Sequence, residues 1–148
     1  MTSKPDYMMQ TYIRCTQDAL WTALRDPDQI GAYNFLTPNV TLTDGVYRYT
    51  APDGAPILVA RILEEDPKSR IEHTFEIQGP DAAPASRSVF LLSPEGDHMK
   101  LVIEHYDLFH PVVPGLGVDD GWARWAAGLK TFLETGEARR FAHTGADQ

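Results

Sequence analysis

The sequence predicts an α+β fold in which a curved, seven-stranded antiparallel sheet wraps around one long C-terminal helix, with two short helices between the first and second strands. Three observations predict it. Short segments of alternating apolar and polar residues recur between residues 7 and 108, separated by turn-forming Asp, Gly and Pro, as expected of strands joined by hairpins. The segment 118–135 instead carries apolar residues at intervals of three and four, the spacing of an amphipathic helix. At 148 residues the chain has the size of one domain that buries roughly two-thirds of its unfolded surface. The whole of 1–148 is therefore read as a single domain, with 1–6 and 137–148 as tails.

The first strand runs from Tyr7 to Arg14. Thr16 then supplies a hydroxyl able to cap the free amides of a helix over Gln17 to Arg25. Asp26-Pro27 opens a second, shorter helix, with proline at the first helical position, where its missing N–H costs nothing.

Six more strands are expected at about 39–43, 46–50, 57–65, 70–77, 86–93 and 98–108. Asp44-Gly45 is a two-residue hairpin signal, residues 66–69 and 94–97 read as four-residue turns, and the segments at 52–54 and 79–81 as longer loops. Symmetric closure of these turns sets the register. Ile62 then faces His73, Ala60 faces Phe75 and Leu58 faces Ile77; Leu42 faces Tyr47 and Val40 faces Tyr49. The 94–97 turn puts Phe90 opposite Leu101, Leu92 opposite Met99, Ser88 opposite Ile103 and Ser86 near His105. One sheet face is thus apolar, and the other, with Thr41, Arg48, Arg61, Glu72, Thr74, Glu76, Lys100 and Glu104, is wet.

The last element, Val118 to Thr135, has Asp119 and Asp120 at the end where a helix dipole favours negative charge, and Gly136 placed as its C-cap. Trp122, Trp125, Ala126, Leu129, Phe132 and Leu133 share one face. Such a stripe must bury against something large, and the concave side of the sheet is the available surface.

Composition narrows the function classes. The net charge of −8 with scattered basic residues disfavours nucleic acid, which is bound largely by Lys and Arg displacing counterions. No apolar run approaches the ~20 residues a membrane span needs, and no signal-like apolar core follows the N-terminal lysine. A cytoplasmic location is expected. Cys15, the sole cysteine, excludes an internal disulfide and a multi-cysteine zinc site; a small buried hydrophobe and a tuned thiolate at a helix start are its two readings.

Four stretches carry a resemblance to a known family: Tyr12 to Leu24, Arg61 to Phe75, Ser86 to Phe109 and Gly121 to Gly136. In this order they resemble the domain named after the activator of heat-shock protein 90 ATPase, within the START and birch-pollen-allergen-like superfamily. The resemblance implies a helix-grip fold, with a cavity between the long helix and the sheet that takes apolar or amphipathic small molecules. It brings no shared catalytic triad. The chaperone activators of the family carry an additional N-terminal domain, and here the first strand begins by about Tyr7, so co-chaperone activity is not inferred.

The expected function is therefore binding of a small hydrophobic or amphipathic ligand, lipid-like or aromatic polyketide-like, without cofactor or metal. Phe75, Phe90, Leu101, Ile103, Trp125, Leu129 and Phe132, with Ile62, would wall the cavity, and His73, His105 and Tyr47 would make polar contacts. The two histidines lie on the apolar face at a separation on the order of 15 Å in the expected register, too far to share a proton. Glu64 has inward parity at a strand end, where it could meet a polar head-group or simply be solvated. His98, His110 and His143 show no chelating arrangement. The alternatives are a cyclase or dehydratase using a cavity histidine and a protein-interaction module; a homodimer and a chaperone partner stay open.

Overall fold

The structure, a computed structural model, describes residues 4–110, 112–113, 115 and 117–142. In chain order the elements are β1 (Tyr7–Ile13), α1 (Gln17–Arg25), α2 (Pro27–Tyr33), β2 (Asn39–Thr43), β3 (Val46–Thr50), β4 (Pro56–Asp66), β5 (Arg70–Ile77), β6 (Ser86–Glu95), β7 (His98–Tyr106) and α3 (Val118–Thr135), with a single 3₁₀ turn at Gly79–Asp81. The seven strands form one antiparallel sheet in the order β1-β7-β6-β5-β4-β3-β2. The helix-grip α+β architecture is as the sequence predicts. Among the described residues no helix is long and apolar enough to cross a membrane.

Local chemistry sets the helix boundaries. Thr16 accepts a hydrogen bond from Ala19 N at 3.1 Å and Asp26 accepts one from Asp28 N at 3.0 Å, so each of the first two helices starts on a capped amide. At the far end of α3, Gly136 adopts φ 79° and donates to Phe132 O, the left-handed stop that glycine tolerates best. Gly128 has a different reason to lack a side chain. A Cβ there would sit 2.2 Å from Tyr33 O and 3.2 Å from Arg139 O, so its absence lets α3 lie against the end of α2.

Hairpin geometry decides which residues face inward. Asp44 and Gly45 both have positive φ (52° and 76°), the twist that suits a two-residue hairpin, and Leu42↔Tyr47 and Val40↔Tyr49 pair as expected. Leu58↔Ile77 and Ile62↔His73 also pair as expected, but the register shifts between Ile62 and Glu64. That irregularity turns Glu64 outward, where it is exposed and bound to Arg70 at 2.8 Å. Glu65 takes the pairing opposite buried Ile71 and contacts Arg25.

The β6–β7 register differs from expectation by two residues. The turn consists of Gly96 (φ 63°) and Asp97 alone, with Glu95 paired to His98; the four-residue turn assumed for 94–97 is not formed because glycine permits the tighter reversal. Phe90 therefore faces Ile103, Leu92 faces Leu101 and Ser88 faces His105. A shift of two preserves which side chains point inward, so the apolar face survives. The expected final strand also stops earlier, at Tyr106, with Asp107 at φ 61°.

Candidate functional site

Between α3 and the concave face lies a cavity of ≈ 280 Å³. From the sheet, Tyr47, Tyr49, Leu58, Ala60, His73, Phe75, Ile77 and Phe90 line it; from the helices and the segment after α2 come Ile30, Phe35, Leu36, Val118, Gly121, Trp122 and Trp125. Strand alternation brings the first group to one side. On α3, residues 118, 121, 122 and 125 fall on one stripe by the i, i+3, i+4, i+7 rule, and Gly121 leaves room for the Phe35 ring, 3.4 Å from where a Cβ would be. No lining residue is an acid, a lysine or an arginine.

The expected contacts divide in two. Tyr47, His73, Phe75, Phe90 and Trp125 line the cavity. Leu101, Ile103, His105 and Leu129 have no exposed surface and belong to the packed core beside it, while Ile62 and Phe132 are partly buried against that core. Tyr49 and Trp122 are lining residues outside the expected set. The Val40–Tyr49 register placed Tyr49 on the apolar face, and Trp122 lies in the same helical stripe as Trp125, so both carried a readable signal.

Aromatic rings form a continuous wall. Trp122 and Trp125 meet at 5.7 Å and 77°, Phe90 meets Trp122 at 5.7 Å and His73 at 5.1 Å, and Tyr49 reaches Trp125 at 6.2 Å. The edge-on pairs among these, Trp122–Trp125, Phe90–Trp122 and His73–Phe90, add to area burial.

The polar groups inside are few. His73 and His105 are both cross-strand partners of Ser88, which sets them two strands apart at roughly 10 Å between Cα atoms; the greater separation expected from sequence followed from the looser turn. His105 is fully engaged. Trp122 Nε1 donates to its Nδ1 at 3.0 Å, and an indole can only donate, so the ring proton resides on Nε2 and goes to Ser86 Oγ at 2.7 Å. Ser86 in turn donates to Phe75 O at 3.3 Å. His73 is engaged on one side only, Nδ1 to Ser88 Oγ at 2.7 Å. Burial pushes both imidazoles down to about 4, so both are neutral at pH 7.

The tyrosines differ in the same way. Tyr47 donates to Arg25 O at 3.1 Å, and burial pushes its phenol up to about 12. Tyr49 is pushed up further by burial, and its hydroxyl forms no hydrogen bond among the described residues.

Other candidates resolve into structure. Burial, with Glu134 nearby, raises the Cys15 thiol above its ordinary pKa, against the thiolate reading. His98 pairs with Asp97 at 2.7 Å, His110 meets the Phe109 ring edge-on, and His143 lies outside the described residues. Among the described residues no group of three or more His, Cys, Asp or Glu is placed to hold a metal ion. A second cavity of ≈ 250 Å³ adjoins the first, sharing Phe75, Ile77, Gly117 and Val118 with it and continuing to Leu108, Phe109 and Val113.

Comparison with known proteins places this architecture. CalU16 from Micromonospora echinospora is 24% identical with a TM-score of 0.61, the match covering 84% of this chain and 71% of that one. DynU16, a putative protein in the dynemicin biosynthetic locus, superimposes with a TM-score of 0.74 at 18% identity over 92% of this chain, which spans only 50% of DynU16. The Aha1 dimer from Colwellia psychrerythraea gives a TM-score of 0.68 at 13% identity, over 87% of this chain and 96% of that one. No curated protein matches in sequence. The family model for activator of Hsp90 ATPase homolog 1-like protein matches residues 14–134, and the chain belongs to that family.

Proposed function

We propose that this protein binds a small, largely apolar molecule in the cavity between α3 and the sheet. The observation that carries the reading is the cavity itself: ≈ 280 Å³ lined by aromatic and aliphatic side chains with no charged group among them, the composition of a small-molecule site. A fold selected only for stability would gain by filling it, since unfilled core volume is destabilising. That DynU16 belongs to a biosynthetic locus supports a natural-product-like ligand, and a cytoplasmic location goes with this reading. The Colwellia relative is a dimer, so a homodimer is compatible with it.

Ala60 is a small lining residue on the sheet. Ala60→Phe should fill the cavity and abolish co-purification of a small molecule, read by native mass spectrometry of the folded protein. Retention of the same bound mass by a folded, filled variant would refute the reading.

One arrangement favours a second reading, a cyclase-type enzyme. Ser88 orients His73 beside the cavity, as a general acid–base would require. Once a ligand is found, His73→Asn should end its turnover even at saturating ligand; unchanged turnover removes this option.

A further inference from the structure

The cavity contains more hydrogen-bond donors than the protein uses, and their kind narrows the ligand. Tyr49 is 5% exposed and lines the cavity, yet its hydroxyl has no partner among the described residues. His73 is 8% exposed and also lines it. Its Nδ1 is bound to Ser88 Oγ, and its Nε2 has no partner among the described residues.

The tautomer of His73 follows from Ser88. That serine has no exposed surface, and His73 Nδ1 is the partner of its hydroxyl. If Nδ1 carried the ring proton, the serine proton would be buried with nowhere to go, which costs about 1–3 kcal/mol. The serine therefore donates to Nδ1, and the imidazole proton sits on Nε2 as a second free donor. These two donors are on β3 and β5; on α3 the Nε1 of Trp125, also a lining residue, is likewise without a partner among the described residues. Tyr49 pairs with Leu58 and His73 with Ile62, a separation of two strands and four residues, or roughly 16 Å between Cα atoms before the side chains reach inward.

Resting on the binding function proposed above, we infer that the ligand is an uncharged, ring-containing molecule that carries hydrogen-bond acceptors, such as carbonyl or ether oxygens, received by Tyr49 Oη and His73 Nε2. An acid is disfavoured because no lysine, arginine or protonated histidine lines the cavity, and an unpaired charge there would be heavily penalised. A pure hydrocarbon is disfavoured because it would leave both donors buried and unspent. Burial supports the assignment, keeping Tyr49 in the phenol form and His73 neutral.

The test uses three tricyclic probes of similar size: xanthone, with a carbonyl and a ring oxygen; 9,10-dihydroanthracene, with neither; and xanthene-9-carboxylate, an anion. Binding to the full chain is read by quenching of tryptophan fluorescence. Xanthone should bind at least about tenfold more tightly than either of the others. Tyr49→Phe removes only the hydroxyl, and His73→Asn keeps a partner for Ser88 while deleting Nε2. At least one of these should weaken xanthone several-fold and leave dihydroanthracene unchanged, in protein that unfolds at the wild-type urea midpoint within error. Equal affinity for xanthone and the hydrocarbon, tightest binding of the carboxylate, or indifference of xanthone to both substitutions overturns the inference while leaving apolar binding intact. If none of the probes saturates the protein, both readings fall.

Discussion

Trp122 Nε1 donates to His105 Nδ1 at 3.0 Å across the interface between α3 and β7, so the long helix is tied to the sheet by a hydrogen bond as well as by apolar contact. The bond continues through Ser86 to the Phe75 carbonyl, and every member of that chain is satisfied without water. His105 is thereby a spent group beside the cavity, whereas His73, its neighbour across Ser88, keeps one ring nitrogen free.

Removing a link should expose the cost of an unpaired buried nitrogen. Trp122→Phe leaves His105 Nδ1 without its donor and is expected to lower stability by about 1–3 kcal/mol beyond the packing loss. Ser86→Ala, which orphans Nε2–H instead, should cost a similar amount, and the double variant should cost less than the sum of the two. Urea denaturation checks this; strict additivity would show that the chain does not act as a unit.

Stability should decline with acid in a window set by the histidines. Both have folded pKa values of about 4 against an ordinary 6.5, so as the pH falls the unfolded chain takes up protons first. The stabilisation is complete above about pH 6.5 and is lost towards pH 4, by up to about 1.4 kcal/mol per pH unit for each histidine. Glu72 and Glu134, held low by arginine and lysine partners respectively, contribute losses only in the more acidic carboxylate range. Urea midpoints at pH 8, 7, 6 and 5 should be flat between the first two and then fall, and His73→Asn should shallow the slope. Equal midpoints at pH 7 and 5 would contradict the burial of neutral imidazoles.

Gly128→Ala tests the close approach of α3 to α2. Alanine would ordinarily strengthen a helix interior by about 1 kcal/mol. Here the added methyl meets the Tyr33 carbonyl at 2.2 Å, a backbone atom that cannot swing aside, and overpacking of this kind costs about 1–3 kcal/mol. The expected result is net destabilisation in thermal or urea unfolding. A neutral or stabilising outcome would mean that α3 sits farther from α2 than the structure shows.

Much of the fold was legible because it is written in local rules. Alternation along β3 and β5, the Asp44-Gly45 turn, the Thr16 cap, the helix start at Asp26-Pro27 and the Gly136 stop each depend on neighbours a few residues away, and each is found where the sequence indicated. The errors came where one residue's conformational freedom changed a count. Gly96 allowed a two-residue turn and moved β7 by two positions, bringing His105 opposite Ser88. The irregularity between Ile62 and Glu64 reversed the parity of Glu64 and handed the inward place to Glu65.

The candidate site was half legible for a related reason. Periodicity identifies the face a side chain takes, and Tyr47, His73, Phe75, Phe90 and Trp125, chosen by it, line the cavity. It carries no information on depth along that face. Leu101, Ile103 and Leu129 share the same inward direction yet lie where helix and sheet are in full contact, whereas Tyr49, Gly121 and Trp122 lie where the two surfaces part. Amino-acid order was enough to say which residues avoid water, since that preference belongs to each side chain and its local repeat. Where the interior stays open, and which buried donors there go unanswered, depended on how far a curved sheet and a straight helix diverge, a property of the assembled shape.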